Sequence, residues 1–147
     1  MQKIFIIAIL AFGISFAESN NIGYLQLLGP AGTYSINYER GLPFIAGPVH
    51  FSVGIGASVS NNTVIDVPLM AHAILGRRHQ FEIGAGLEPE WFMRKNISDY
   101  QSIIIGSAGY RYCFKNNVML GLAFMPMYET TTKFYYSGLG FNAGYGF

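Results

Sequence analysis

The sequence holds a single cysteine, Cys113, and few charges: Asp, Glu, Lys and Arg make up 12% of it, against about 25% in an ordinary soluble domain. One cysteine excludes a disulfide framework and any cysteine-built metal site. The histidines, His50, His72 and His79, sit on separate predicted hairpins without the close spacing of zinc ligands, so the sequence points to no metal and no cofactor. Nine Lys and Arg stand against eight Asp and Glu, which leaves no basic footprint for nucleic acid. Beyond residue 17 there is no run of about eighteen apolar residues able to cross a bilayer as a helix. No linker, long repeat or low-complexity tract interrupts the chain, so one domain is expected.

What is present is apolar and glycine-rich. Hydrophobic residues reach 51% and aromatics 16%, with 18 glycines. Interior glycine weakens a helix by about 1 kcal/mol, so the composition favours strands. The first seventeen residues stand apart. Gln2-Lys3 gives a short positive start, 4–14 form an apolar core, and Ser15-Phe16-Ala17 offers small residues for cleavage. This is the pattern of a secretory signal peptide, so residues 1–17 are expected to be a leader and 18–147 the folded domain. Without Lys3, eight basic residues balance eight acidic ones.

Strict alternation is clearest at 134–147, where Tyr135, Leu139, Phe141, Ala143, Tyr145 and Phe147 share one face and Tyr136, Gly138, Gly140, Asn142, Gly144 and Gly146 the other. Similar alternation predicts strands at 22–28, 33–39, 50–60, 63–75, 80–88, 101–114 and 118–128. The total is eight, near the length that crosses hydrocarbon obliquely. Turns are expected at 29–32, Asn61-Asn62, 76–79 and 115–117, and the two-proline stretch 41–48 connects a further pair. Pro68 falls inside a strand, where a bulge is expected. Residues 89–99, from Pro89 to Asp99, read as the longest loop, on the outer side, able to meet a surface partner.

On this register the ionisable strand residues face inward. Glu39, His50, His72, Glu82 and Arg111 all lie within a few residues of the connections at 41–48, 76–79 and 115–117, at one end of the strands, and are expected to meet as a lumen ion-pair cluster centred on Arg111 and Glu82. The lumen of eight strands is just wide enough for side chains to fill it. Charges buried there must pair. Tyr38, Tyr112, Phe114 and Phe147 are expected at the inner interface, and Trp91, Phe92, Tyr128 and Tyr135 at the outer one, as aromatic anchors. Cys113, one residue from the end of its strand, reads as a small packing residue.

A final strand ending on Phe147 resembles the C-terminal strand of bacterial outer-membrane β-barrels, which the barrel assembly machinery reads; Asn142 stands where such strands usually carry glycine. The alternating pattern as a whole resembles the small OmpA/OmpX-like barrels. The run Gly32-Thr33-Tyr34-Ser35-Ile36-Asn37-Tyr38-Glu39-Arg40 resembles the opening of small outer-membrane barrels common in Bacteroidota. These resemblances imply an all-β, eight-stranded antiparallel up-and-down transmembrane barrel in a Gram-negative outer membrane. They imply a monomer whose partners are the membrane's lipids and the assembly machinery.

His50-Phe51-Ser52 is similar to the His-x-Ser pair of the lipid A deacylases, also small barrels, although here the pair comes early in the chain and faces inward. Inward methionines at 119, 125 and 127, with the glycines, allow an acyltransferase-like pocket, but methionines at strand spacing are more often core filling. The expectation is therefore a non-enzymatic barrel with a structural or surface-interaction role and a packed polar lumen. The alternatives are a lipid-modifying enzyme of deacylase or acyltransferase type, and a soluble periplasmic lipocalin-like barrel whose facing would be reversed.

Overall fold

Period-two alternation of large apolar residues with glycine, serine and charged residues drives the described chain into strands whose two faces differ throughout. The computed structural model describes residues 21–29, 33–42, 49–59, 63–94 and 97–147. The expected leader, the turn tips at 30–32 and Asn61-Asn62, most of the 41–48 connection, and Lys95 lie outside the described residues. Among the described residues nine strands follow in order: β1 (Asn21–Leu27), β2 (Tyr34–Gly41), β3 (Val49–Val59), β4 (Thr63–Asp66), β5 (Leu69–Leu75), β6 (His79–Arg94), β7 (Ile97–Cys113), β8 (Val118–Glu129) and β9 (Phe134–Gly146).

Every pairing between them is antiparallel, and β1 pairs with both β2 and β9, which closes the sheet. Both β4 and β5 lie between β3 and β6, so they share one position and the barrel is eight-stranded. Closure removes the exposed edges that an open sheet would carry.

The expected bulge at Pro68 does not form. Gly56 pairs with Asp66 and Val53 with Leu69, so the register runs unbroken across the gap. The ladder is interrupted because two prolines fall close together. Pro68 offers only its carbonyl, to Gly54 N at 3.0 Å, and Pro89 only its carbonyl, to Val67 N at 3.1 Å. Each lacks the N–H that would complete the pair. A proline that costs one donor without displacing its neighbours leaves the facing of Asp66 and Met70 intact, both buried inward.

The segment 89–99 is likewise not a loop. β6 runs on to Arg94 and β7 starts at Ile97, with pairs Glu90–Gln101, Trp91–Tyr100 and Phe92–Asp99 extending the hairpin. Pro89 is accommodated because its partner on the β7 side is Ser102, while its missing donor falls in the interrupted β4–β5 ladder. Residues 97–102 of β7 run past the first β7–β8 pair, Ile103–Glu129; Ser102 O takes bonds from Thr130 N at 3.1 Å and Thr130 Oγ1 at 2.8 Å.

Asn21, Phe147 and the turns at 76–78 and 114–117 gather at one end, tied by Phe147 N to Asn21 O at 2.9 Å, Cys113 N to Arg78 O at 2.8 Å and Gly146 N to Asn117 O at 2.9 Å. Gly76 turns the β5–β6 hairpin there at φ +110°, and a Cβ would sit 2.0 Å from the carbonyl oxygen of His79. Gly76→Ala should therefore lower the stability of the folded barrel by roughly 1–3 kcal/mol, read as a lower urea midpoint in lipid or detergent.

The outward face is apolar all round. Ile36, Ile55, Phe81, Ile83, Leu87 and Leu139 each expose more than half of their surface, while Glu39, Gln80 and Arg111 are almost wholly buried inside. A lipocalin-like barrel requires the opposite facing. Here most large aliphatic and aromatic side chains point out, while Glu39, Asp66, Glu82, Glu88 and Arg111 point in, and Arg40 and His79 lie outward near the ends of their strands.

Candidate functional site

The inner faces of the strands are stacked in layers of different character. Nearest the chain ends is a polar layer built on Arg111, the last of the β7 inner row Ile103, Ile105, Ser107, Gly109, Arg111. Its guanidinium reaches Glu39 on β2, with Nη1 to Oε1 at 2.9 Å and Nη2 to Oε2 at 2.8 Å, a two-pronged contact. Its Nε donates to Oε2 of Glu82 on β6. Arg111 and Glu39 expose 1% and 0% of their surface, so this is a desolvated triad. The Tyr24 ring lies 5.9 Å from the guanidinium carbon, within cation–π range.

Room for the triad comes from glycine. A Cβ on Gly109, cross-strand from Glu82, would sit 2.9 Å from Glu82 Oε1 and 2.8 Å from the Ala123 Cβ. The absence of a side chain there lets the carboxylate reach the arginine.

His50 and His72 are cross-strand partners on β3 and β5. His50 Nδ1 lies 3.1 Å from Glu39 Oε1. His72 makes a different contact, its Nε2 3.0 Å from Ser52 Oγ. All five residues expected in the lumen cluster thus lie in this layer; four are joined directly and His72 touches Ser52. The serine of the His-x-Ser motif meets His72 diagonally across the β3–β5 pair: the direct partner of Ser52 is Met70, and His72 lies opposite His50. No acid orients that histidine: its Nδ1 has no hydrogen-bond partner, and both residues are buried.

Around the triad, Gln26 Nε2 donates to Asn142 Oδ1 at 2.9 Å, Asn37 Nδ2 to Ser35 Oγ at 2.8 Å and Gln80 Nε2 to the Arg77 carbonyl at 2.9 Å. These amide contributors were absent from the sequence expectation. The signal for them was their parity: Gln26, Asn37, Gln80 and Asn142 all fall in the polar phase of their strands. Asn142 occupies the place of a usual glycine because it completes this layer.

Above it lies an apolar layer of Met70, Ile103, Ile105, Ala123, Met125 and Met127, with Tyr136 packed against it. A lumen polar throughout was expected; the second layer makes it half apolar. Ile103, Ile104 and Ile105 explain why. The middle residue is 47% exposed while its neighbours are buried, so an apolar run on both faces carries no alternation to read.

The aromatics fall in two groups. Near the chain ends, Tyr38 and Phe147 lie 6.4 Å apart, Tyr112 and Phe114 4.8 Å, and Phe81 and Tyr110 5.5 Å. On the β6–β7 hairpin Trp91 and Tyr100 lie 5.8 Å apart. Trp91, Tyr135 and Phe147 are exposed, and Tyr128 shares the outward phase of Leu120, Leu122 and Phe124. Phe92 does not belong with them. It shares the inward phase of Glu88 and Glu90 and is half-buried, because neighbours on an extended strand point to opposite faces.

No protein-family model matches the chain, and no curated protein matches it. Among solved structures it is similar to the N-terminal β-barrel domain of Pseudomonas aeruginosa OprF, with 14% sequence identity and a TM-score of 0.63, covering 88% of this chain and 98% of that one.

Proposed function

We propose that this chain is an integral outer-membrane β-barrel protein without enzymatic activity, serving a structural or surface-interaction role, its lumen closed by packed side chains. One observation carries the reading: a continuous belt of exposed Ile, Leu, Phe and Tyr encircles a barrel whose ionisable residues point inward. Exposed to water, a patch of that extent is a liability; facing acyl chains it needs no cover. The likeness to the OprF barrel domain supports the fold, and the alternating pattern shared with OmpA/OmpX-like proteins supports the address. Residues 1–17 would direct export and be removed.

Closure of the lumen is supported by its contents. Arg111, Glu39, Glu82, Ile103, Ile105, Met119 and Met125 are among its buried side chains, and this fits a plug better than a conducting pore. The Ser52–His72 contact lacks an orienting acid and points away from lipid, which weighs against a deacylase. A surface role would fall to the β6–β7 hairpin, whose exposed Trp91, Met93 and Tyr100 extend past the β7–β8 ladder.

Cell fractionation tests the reading. The protein is expected to stay with the outer membrane through an alkaline carbonate wash and to be released only by detergent. Recovery in the soluble periplasmic fraction would overturn it.

A further inference from the structure

Three acids inside the barrel play no part in the Arg111 network. Asp66 ends β4, and Glu88 and Glu90 lie two residues apart on β6, with Glu90 directly cross-strand from Asp66. Two-residue spacing on one strand and direct pairing with the next put all three on the inner face. One carboxylate oxygen from each lies within 4.8 Å of the others. They sit beyond the apolar layer: along β5 and β6 the chain passes Met70 and its cross-strand partner Gly86 before reaching His72 and Glu82.

Asp66 and Glu88 are buried as deeply as Glu39, yet no countercharge among the described residues pairs with them. Asp66 is 1% exposed, Glu88 0% and Glu90 8%. Both oxygens of Asp66 and both of Glu88 lack any hydrogen-bond partner. Only Glu90 is engaged, accepting from Gln101 Nε2 at 2.5 Å. The ion pairs among the described residues all involve Glu39 or Glu82, and none reaches this group. The same barrel that gives its lower carboxylates an arginine leaves four carboxylate oxygens beyond the apolar layer without a hydrogen-bond partner among the described residues. Buried anionic oxygens are retained when something cationic satisfies them.

We infer that Asp66, Glu88 and Glu90 form a binding site for one hard divalent cation, of the size and chemistry of calcium, within the barrel. Three oxygens no more than 4.8 Å apart share a point within about 2.8 Å of each (4.8 divided by √3), close to the 2.3–2.6 Å of calcium–oxygen bonds. Magnesium would require further contraction to about 2.0–2.1 Å and holds its waters tightly. An all-oxygen donor set without histidine or cysteine disfavours zinc and copper. Bidentate contact from Asp66 and Glu88, with Glu90 held by Gln101, approaches the six to eight oxygens calcium takes. Histidine and cysteine spacing gave no sign of this site, since it has neither residue and Glu90 lay in a segment read as loop.

The test is calcium chloride titrated by calorimetry into the full-length barrel, purified in detergent free of lipopolysaccharide and stripped with EDTA, with thermal unfolding followed alongside. One calcium per chain is expected, with a Kd of about 10⁻⁴–10⁻³ M, as in extracellular calcium modules, and an unfolding midpoint raised by calcium more than by magnesium. The double variant Asp66→Asn with Glu88→Gln should weaken binding at least tenfold and lose the calcium shift. It should still fold, and in EDTA its midpoint should equal or exceed that of the native chain, because two buried charges are gone. A folded native barrel with no calcium heat and no shift up to about 10 mM would overturn the inference, the acids then holding protons instead. A double variant that binds calcium like the native chain would overturn it equally. Neither outcome bears on the membrane address, which fractionation reads independently.

Discussion

Arg111→Ala is expected to destabilise the barrel by at least about 3–5 kcal/mol, the cost of removing one partner from a buried ion pair, and here two carboxylates lose the same partner. Glu39 and Glu82 would face each other across the lumen with no arginine between them. The near-zero exposure of Arg111 and Glu39 leaves little water to screen them. The measurement is the urea midpoint of refolding into lipid vesicles, with gel mobility before and after heating as a simpler readout. Arg111→Lys should recover only part of the loss, because an ammonium cannot present three donors to two carboxylates in a fixed plane. The combination Arg111→Met, Glu39→Gln and Glu82→Gln should recover most of it, since a buried triad replaced by neutral groups of similar volume is often tolerated. An Arg111→Ala barrel as stable as the native one would mean that the lumen is wet, and the plug would then be a channel lining.

A charge placed outside should be nearly as damaging as a charge orphaned inside. Phe124 sits midway along β8, outward, 49% exposed, between Ala108 on β7 and Leu139 on β9. In a barrel spanning a bilayer, Phe124→Arg should cost about 2–4 kcal/mol at the midplane, while Phe147→Arg at the end of the barrel should cost only about 0–1 kcal/mol. In a barrel surrounded by water, a substitution at an exposed position like Phe124 usually stays within about 0.5 kcal/mol. The difference between the two sites matters more than either value, because it measures depth in hydrocarbon once the loss of a phenylalanine side chain, common to both, is subtracted.

How much of this could be read from the sequence follows from where the two faces of a strand differ in kind. β2, β3 and β9 alternate apolar residues with Ser, Asn, Glu, His or Gly, and their facing was legible residue by residue. So was the meeting of Arg111 with Glu82 and Glu39, because three charged side chains in the polar phase near one end of a narrow lumen have few other partners. The β6–β7 hairpin was not legible. Glu88-Pro89-Glu90-Trp91-Phe92-Met93 combines a proline with charges and aromatics in consecutive positions, which reads as loop until its ladder with 97–102 is seen. Reading that segment as loop also hid the inward phase of Phe92 and Glu90. The apolar upper lumen escaped for the opposite reason: at Ile103-Ile104-Ile105 both faces are greasy and periodicity falls silent. Pro68 misled in a third way, suggesting a bulge where only a donor was lost and the register held.

The facing of the belt decides the rest. With Cys113 replaced by serine, spin labels would be placed one at a time at Leu122→Cys, Phe124→Cys and Leu139→Cys on the barrel reconstituted in lipid vesicles, and their relaxation by oxygen compared with that by a water-soluble nickel complex. Strong relaxation by oxygen and little by nickel at all three sites is the expected result. Labels that respond to nickel as freely as to oxygen would put these side chains in water and contradict a membrane-spanning barrel.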